Sequence, residues 1–448
     1  MHALLMLEVM VLSGGVVGAH QDPVYPTWVV QGLRVEPAGG MKVKVGEGTA
    51  DFGGMKVAFQ GGTFDVEAPE IVSVVDEKTT LSDEKPESWN HGTSLRECTC
   101  FGNGAGTPLP MCMRPGSLRV KMGPGRSIAY EEGKDYLTDV MWNKVGRVDG
   151  GKIAKGQEVY LDYEYRLWRI DSIVLYRDGK IRLVRGAGRR TCAKQPELDD
   201  TAERLCNIFV WFDTAEIKPG LIFPCGPPLP EPTDAERAER QKAVAHTLAK
   251  LRAGEDVTIV TWGDSVTEGG DAQPIAKYAF PWAFVNELRA RYPKARINFV
   301  NAGIGGTNLP GRLPDIQAQV LAYEPDLVTI EFVNDTGFSP EKLKPDWQKA
   351  VDLMKGIGAE IIVITPHLMM PPWMGKTYDD LWFTDDRTSV AAMRQIAREN
   401  GLGLADTARR WEHACQEGLP YMTWLWNGIN HPDNPGHELF VRDLLSYF

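Results

Sequence analysis

The chain has 448 residues, of which 43% are hydrophobic and 24% are charged, and its formal net charge is -11 at pH 7. This length exceeds one ordinary domain core, and the composition is that of a globular protein that folds in water. The acidic balance argues against binding to nucleic acid or to an anionic membrane, both of which require a basic face. No segment after residues 1–20 is apolar for long enough to span a bilayer.

Residues 1–20 contain an apolar segment that ends in small residues, a pattern typical of a cleaved secretory signal peptide. The start of this segment has no Lys or Arg and Glu8 interrupts it, so a buried first strand or helix is the alternative. A signal peptide would make the protein secreted or periplasmic.

The chain contains seven cysteines, six of which lie in its first half. An even number favours disulfide bonds in an oxidising compartment, although the sequence leaves their pairing open. The alternative is a metal cluster at Cys98, Cys100 and Cys112, but this spacing matches no standard zinc pattern. Cys415 is expected to be a buried thiol.

Residues 22–225 are predicted to form an all-β, sandwich-like domain. Short runs of β-branched and aromatic residues alternate there with glycine-rich turns such as Gly39-Gly40. Residues 170–176 and 180–184 are predicted to form a hairpin closed by Asp178-Gly179. The Trp and Tyr side chains of this region could form a sugar-binding platform, but such side chains more often belong to an ordinary core.

Residues 226–233 are rich in proline and are predicted to be a stiff linker between two domains. Thr233 is expected to cap the next helix, with Glu236 completing a capping box. Residues 234–448 alternate strands with helices, which predicts a parallel sheet covered on both faces. The expected strands are 257–262, 297–301, 327–332, 361–365 and 402–405, and the expected helices are 281–292, 313–323, 345–357 and 386–400, with more after Thr407 and Pro435.

Four loops of this region are expected to meet at the carboxyl edge of the sheet, where open parallel sheets bind ligands. They contain Gly263-Asp264-Ser265, the glycine-rich block 301–308, Asn334-Asp335 and His431-Pro432. The serine is either a nucleophile or a helix cap, and the histidine is a candidate general base. The glycines of the second loop and the amide of Asn334 are candidate oxyanion donors.

In this order and at this approximate spacing, the four blocks resemble those of the SGNH hydrolases, the GDSL esterase and lipase superfamily, over residues 256–448. The resemblance implies a flavodoxin-like three-layer α/β/α domain and an acyl-ester hydrolase that needs no metal or organic cofactor. It makes Ser265 the nucleophile and His431 the base. The backbone N–H groups of Ser265 and Gly306 and the side-chain amide of Asn334 would form the oxyanion hole.

Two positions depart from the pattern of that superfamily. Phe332 stands two residues before Asn334, where glycine is usual, and Gly428 stands three residues before His431, where aspartate is usual. No triad acid is therefore visible. The expectation is a Ser–His dyad whose imidazole is oriented by Asn427 or by a backbone carbonyl.

Three more residues near this edge have simpler expected roles. Asp433 is expected to be a turn residue, and His437 to pack in the first turn of the last helix. His367 ends another strand at the same edge. It is expected either to line the substrate pocket or to have a structural role.

The sequence thus predicts a serine esterase that removes a short acyl group, most simply acetate, from an O-acetylated carbohydrate through an acyl-enzyme. The carbohydrate preference rests on the separate β-rich region, on the signal-like N-terminus and on the lack of a long apolar stretch for an acyl chain. The loop Ile429-Asn430-His431-Pro432 also resembles carbohydrate esterases of the superfamily. A lipase, thioesterase or arylesterase of the same fold is an alternative. A glycan-binding or surface-attachment protein with a weak or vestigial hydrolase domain is another.

Overall fold

The computed structural model describes residues 30–102, 106–126, 128–381 and 384–448. The predicted signal peptide, residues 1–20, lies outside the described residues. In the described part of the chain, no helix combines the length and apolar character needed to cross a membrane.

We call the part of the chain up to residue 225 the N-terminal half and the remainder the C-terminal half. The strands of the N-terminal half pair antiparallel, as its turn-rich sequence predicts. Their bounds are β1 Val30–Gly32, β2 Val35–Pro37, β3 Lys42–Val45, β4 Gly48–Asp51, β5 Lys56–Phe59, β6 Gly62–Asp65, β7 Ile71–Thr80, β8 Thr93–Ser94, β9 Thr99–Cys100, β10 Thr107–Pro108, β11 Arg119–Lys121, β12 Tyr136–Asp139, β13 Lys144–Arg147, β14 Glu158–Arg166, β15 Arg169–Tyr176, β16 Ile181–Val184, β17 Ala202–Val210 and β18 Ile222–Pro224. The sheets have the strand orders β1-β4-β5, β2-β3-β6, β11-β14-β7, β12-β13-β8, β10-β9 and β16-β15-β17-β18. The predicted hairpin is confirmed, since β15 pairs antiparallel with β16.

The sheet β16-β15-β17-β18 is covered on both of its faces. One face packs against the small sheets of β1 to β6 through side chains such as Ile173 and Val43. The other face places Ile170 and Phe209 in a core cluster that also includes Trp411 from the C-terminal half. Because both faces are covered, seven of the eight residues of β15 are buried, and the strand lacks the alternating pattern of a half-exposed strand.

Residues 226–232 form no helix or strand and lie against the C-terminal half. The Leu229 N–H donates a 2.8 Å hydrogen bond to the Glu417 carboxylate. Thr233 caps the next helix, and the predicted capping box with Glu236 is present. The domain boundary at residues 226–233 stays a prediction, and one hydrophobic cluster contains side chains from both sides of it.

The C-terminal half contains the predicted parallel sheet, with the strand order β20-β19-β21-β22-β23. The strands are β19 Asp256–Gly263, β20 Arg296–Gly303, β21 Leu327–Glu331, β22 Glu360–Ile364 and β23 Gly403–Ala405. The helices are α1 Asp234–Gln241, α2 Ala245–Ala253, α3 Ser265–Glu268, α4 Ile275–Tyr278, α5 Phe280–Arg291, α6 Leu309–Arg312, α7 Ile316–Gln319, α8 Pro340–Gly356, α9 Thr388–Glu399, α10 Thr407–Gln416 and α11 Asn434–Leu445. One face of the sheet packs on α5 and α11, and the other packs on α8 and α9, which gives three α/β/α layers.

Two helices differ from the sequence prediction. Helix α8 begins at Pro340 and contains Pro345, the residue at which the helix was expected to start. Proline is favourable at a first helical position, so Pro340 provides an earlier start. The helix expected at 313–323 is divided into α7 and two 3-10 turns. Pro314 lacks the N–H by which α6 would continue into this segment as one α-helix.

Candidate active site

Ser265 lies just past the carboxyl end of β19, as the sequence predicts. Open parallel sheets bind ligands at this edge. At Gly263, the last residue of the strand, an added Cβ atom would overlap the Glu331 carbonyl oxygen, so only glycine fits. Asp264 caps α3 by accepting a 3.1 Å hydrogen bond from the Val266 N–H. Ser265 begins this short helix and is 8% exposed.

Two hydrogen bonds join Ser265, His431 and Asp271. Ser265 Oγ lies 2.9 Å from His431 Nε2, and His431 Nδ1 lies 2.8 Å from Asp271 Oδ2. With its hydrogen on Nδ1, the imidazole donates to the carboxylate and accepts from the serine hydroxyl. A nucleophile and its general base require this arrangement.

The sequence does not identify Asp271. The resemblance implies an acidic residue three positions before His431, but this position is Gly428. Asp271 instead lies in the serine's own loop, directly after Gly269-Gly270. Its φ of 63° lies in the left-handed region, which aspartate tolerates better than most residues. A carboxylate that follows two glycines in the nucleophile loop is the one signal that the sequence offers.

Asn427 does not orient the imidazole, which corrects the prediction for this residue. Its Oδ1 accepts hydrogen bonds from the backbone N–H groups of Ile429, Asn430 and His431 at 2.9, 3.0 and 3.0 Å. Asn427 is 2% exposed, so its oxygen provides a hydrogen-bond acceptor for N–H groups that water can hardly reach. The residue shapes the histidine loop, and Asp271 is the partner of Nδ1.

Gly306 and Asn334 lie in the loops that follow β20 and β21, on either side of the strand that leads to the serine. The Asn334 N–H donates to Asp264 Oδ2 at 3.0 Å, and its Nδ2 donates to the Thr307 carbonyl at 2.8 Å. Gly306 has a φ of 71°, which glycine adopts without strain. Within the described residues, the Gly306 N–H and the second Nδ2 hydrogen of Asn334 have no protein acceptor, as oxyanion donors require.

Two buried carboxyl groups lie beneath the serine loop. Burial raises the pKa of Asp264 to about 6 and the pKa of Glu331 well above its ordinary value, because desolvation disfavours the charged form. Backbone N–H groups act in the opposite direction at Asp264. Thr267 donates its hydroxyl to Glu331 Oε2 at 2.8 Å. Both carboxyl groups link neighbouring loops and face away from solvent.

Phe332 occupies the usual glycine position of the third block and leaves the Asn334 loop intact. Its backbone is extended, with a φ of -139°. The ring is fully buried and meets the Trp262 ring edge-on, with 5.0 Å between the centroids. The side chain thus contributes to the core beneath the sheet edge.

His367 lies behind the histidine loop, which corrects the prediction that it lines the substrate pocket. It is fully buried, its Nε2 lies 2.8 Å from the Asn430 carbonyl oxygen, and its ring contacts Trp411. Burial holds the pKa of His367 well below its usual value, and the charge of Arg387 adds to this effect. The neutral ring supports the loop that carries His431.

His437 packs in the first turn of α11, as the sequence predicts. Its Nδ1 accepts from the Phe280 N–H at 3.3 Å, and its Nε2 donates to the Gly270 carbonyl at 3.4 Å. Since Gly270 precedes Asp271, this contact holds the backbone from which the carboxylate extends. Burial lowers the pKa of His437 to about 4, so the ring is neutral at physiological pH.

All seven cysteines are free thiols in the structure, which corrects the expectation of disulfide bonds. They are accommodated as small apolar side chains, and four of those in the first half are buried, namely Cys98, Cys100, Cys112 and Cys206. Cys415 is a buried thiol, as predicted. Among the described residues, no group of three or more His, Cys, Asp or Glu side chains is arranged to hold a metal ion.

A cleft of about 570 Å³ opens beside Asp271, between the two halves of the chain. Tyr278 and Trp426 from the C-terminal half contribute to its walls, as do Arg189 and Lys194 from the N-terminal half. Aromatic faces combined with polar groups suit a ligand that has both apolar ring faces and hydroxyl groups.

The C-terminal half thus combines three α/β/α layers with a hydrogen-bonded Ser265, His431 and Asp271 at the carboxyl edge of its sheet. Residues 261–439 match the model of the GDSL-like Lipase/Acylhydrolase family. These residues contain the four sequence blocks by which the chain resembles that family.

A curated acetylxylan esterase from Geobacillus stearothermophilus is 27% identical over 220 residues, which cover 44% of this chain and 94% of the relative. A solved two-domain esterase active on acetylated mannans is 20% identical, with a TM-score of 0.38 over 46% of this chain. The match spans only 51% of that esterase. A catalytic mutant of an acetylxylan esterase from Geobacillus stearothermophilus is 22% identical, with a TM-score of 0.35 over 42% of this chain and 92% of the other.

Replacing His437 by asparagine is expected to weaken the loss of stability on acidification. The unfolded imidazole titrates at about 6.5 and the buried one at about 4, so the unfolded state binds the proton first. Stability therefore falls as the pH drops through this window, by up to about 3 kcal/mol for the full shift. Urea unfolding of the native protein and His437→Asn, at neutral pH and near pH 4.5, measures the difference.

Asparagine retains an acceptor for the Phe280 N–H and cannot titrate. The raised pKa of Asp264 has the opposite sign, because its stabilising effect is present at low pH and is lost as the pH rises through about 6. This contribution is common to both proteins and cancels in the comparison. Equal pH dependence of the two proteins would contradict a role for His437.

Proposed function

We propose that the protein is a serine esterase that removes acetyl groups from an O-acetylated carbohydrate. The observation that carries this proposal is the pair of hydrogen bonds from Ser265 through His431 to Asp271. The match of residues 261–439 to the GDSL-like Lipase/Acylhydrolase family model supports acyl-ester chemistry. The 27% identity to an acetylxylan esterase supports an acetylated carbohydrate as the substrate.

Acylation begins when Ser265 Oγ attacks the carbonyl carbon of the acetyl ester. His431 Nε2, at 2.9 Å, takes the hydroxyl proton as the new C–O bond forms. Asp271 holds the other ring nitrogen at 2.8 Å and stabilises the imidazolium that results. His431 then gives its proton to the leaving sugar oxygen, and an acetyl-serine remains.

The negative charge of the tetrahedral intermediate develops on the former carbonyl oxygen. The Ser265 N–H, the Gly306 N–H and Asn334 Nδ2 are the donors that we assign to this oxygen. The bonds of Asn334 to Asp264 and Thr307 hold its amide in place before the reaction. Donors that are already oriented stabilise the charge without reorganisation.

Deacylation repeats these steps with water as the nucleophile. His431 removes a proton from the water, the hydroxide attacks the acetyl-serine, and Ser265 leaves with the proton from His431. The products are acetate and the free enzyme. The chemistry assigned to these side chains uses only protein groups.

The lining of the cleft includes Asp271 but neither Ser265 nor His431, so the cleft suits sugar units of the carrier that lie next to the acetylated one. Its aromatic residues Tyr278 and Trp426 offer flat apolar faces, and its polar side chains can bind hydroxyl groups. We further propose that the protein acts outside the cytoplasm, as a secreted or periplasmic enzyme.

The native protein is expected to hydrolyse p-nitrophenyl acetate faster than the butyrate and octanoate esters, and to release acetate from acetylated xylan. Ser265→Ala is expected to lower kcat on each accepted substrate by at least about 1000-fold, because it removes the nucleophile. Colorimetric assays and acetate quantification measure both effects. Preference for octanoate would favour a lipase. If the native and variant proteins were equally inactive, the result would favour the alternative that the protein binds glycans through its N-terminal half.

Asp271→Asn is expected to lower kcat by about 1000-fold or more with little change in KM, because an amide favours the wrong imidazole tautomer. Steady-state kinetics on p-nitrophenyl acetate measure the loss. Asp433 caps α11 by accepting from the Gly436 N–H, but it also lines the cleft. Asp178→Asn is therefore the matched control, since Asp178 accepts from the Lys180 N–H at 3.1 Å in the turn between β15 and β16, and asparagine suits such a turn equally well. If both variants kept native activity, Asp271 would have no part in the reaction.

Asn334→Ala is expected to lower kcat by about 100- to 1000-fold, since it removes one oxyanion donor. KM is expected to change little, because the oxyanion forms only in the transition state. Asn298→Ala, at an exposed position of the edge strand β20, is the control. An equal and small effect of both substitutions would exclude Asn334 from the oxyanion hole.

A further inference from the structure

The N-terminal half touches the candidate active site at the Asp271 carboxylate. Gly102 follows β9 by two residues and lies directly against this side chain. A Cβ atom added to Gly102 would overlap Asp271 Oδ1 and would lie 2.6 Å from its Cγ. Any other residue at this position would therefore displace the Asp271 carboxylate.

The same half of the chain also holds the loop that carries His431. The carbonyl oxygen of Trp426 accepts hydrogen bonds from the Thr191 hydroxyl at 2.7 Å and from the Cys100 thiol at 3.2 Å. The N–H of Trp426 donates to the His431 carbonyl at 2.8 Å. The two N-terminal donors thus fix the residue whose backbone pairs with the histidine.

The carboxylate has little freedom on its other sides. Asp271 Oδ2 is engaged by His431 Nδ1, and the side chain is only 11% exposed. The preceding residue, Gly270, is held by His437 and by a 2.7 Å hydrogen bond from its own N–H to the Ser265 carbonyl. Gly102 lies against Oδ1 of the carboxylate, and the side chain also borders the cleft.

We propose that the N-terminal half positions the Asp271–His431 pair, with Gly102 and Thr191 as its positioning residues. This inference rests on the proposed function and gives the β-rich half a part in the esterase reaction. Neither residue needs to touch the substrate. Both act through the alignment of the imidazole with Ser265, and catalytic groups must be held to within a fraction of an ångström.

A substitution at Gly102 can distinguish a positioning role from a contribution to the stability of the fold. The atom that an alanine would displace is the end of the Asp271 side chain, which can rotate without unfolding the protein. Gly102→Ala is therefore expected to leave the melting temperature almost unchanged. Its kcat on p-nitrophenyl acetate is expected to fall by at least about tenfold, with little change in KM.

Gly46→Ala is the matched control in the same half of the chain. At Gly46 an added Cβ would have its nearest neighbours, two backbone atoms of Arg34, at 3.8 Å, which is an ordinary contact. This variant is expected to keep native kcat and KM. A Gly102→Ala enzyme with a kcat within about twofold of both the native and the control proteins would overturn the proposal.

A double-mutant cycle with Asp271→Ala isolates the contact between the two residues. Removing the carboxylate leaves room for the methyl group, so Gly102→Ala is expected to cause no further loss in that background. Losses that multiply would show that Gly102 acts elsewhere and would refute the positioning role.

Thr191→Val keeps the shape of the side chain and removes the hydroxyl that donates to Trp426. It is expected to lower kcat by about fivefold, the loss corresponding to one hydrogen bond, and Thr191→Ser is expected to restore it. If valine and serine at this position gave equal kcat values, the hydroxyl would have no positioning role.

Ser265→Ala, measured in the same series, separates this inference from the proposed function. Serine-dependent turnover with normal kinetics of Gly102→Ala would overturn only the inference. If turnover were absent altogether, a crystal structure of Gly102→Ala would still test it. The distance from Asp271 Oδ2 to His431 Nδ1, 2.8 Å in the native protein, is expected to exceed about 3.5 Å in the variant, and an unchanged distance would refute the inference.

Discussion

The hydrogen bond between Asp271 and His431 is the contact on which the remaining geometry of the site depends. It joins side chains 160 positions apart in the sequence, so it forms only when the first and last loops of the sheet edge meet. On the histidine side, Asn427 gathers three backbone N–H groups into a fixed turn. On the aspartate side, the Gly270 backbone is held by the serine loop and by His437. Ser265 is aligned with the imidazole because both segments are fixed before a substrate arrives.

The serine loop is built on carboxyl groups that are poorly solvated. Burial raises the pKa of Asp264 to about 6 and that of Asp335 to about 7, and it also raises the pKa of Glu331. The Trp347 indole N–H donates to Asp335 at 2.7 Å, and two backbone N–H groups donate to Asp264. Desolvation thus favours the neutral form of these carboxyl groups, and the hydrogen bonds that they accept favour the charged form.

The sequence predicts most of the C-terminal fold, because strand and helix periodicity determines which loops share an edge of a parallel sheet. It also places Ser265 and His431, which lie in loops directly after a strand and before a helix. The partner of the imidazole is harder to predict, since it depends on the direction of one side chain from a residue with positive φ. His367 lies at the edge of the sheet that the sequence predicts, but its side chain is fully buried in the core. Strand-end position alone does not distinguish these two directions.

The N-terminal half is less predictable because its sheets are buried by partners from distant parts of the chain. The sheet containing β15 packs one face on small N-terminal sheets and the other on side chains of the C-terminal half. Its strands therefore lose the alternation by which half-exposed strands are recognised. The same shared core brings β9 and the segment around Thr191 up to the histidine loop. Apolar burial between the halves and the alignment of the Asp271–His431 pair are thus two consequences of one packing arrangement.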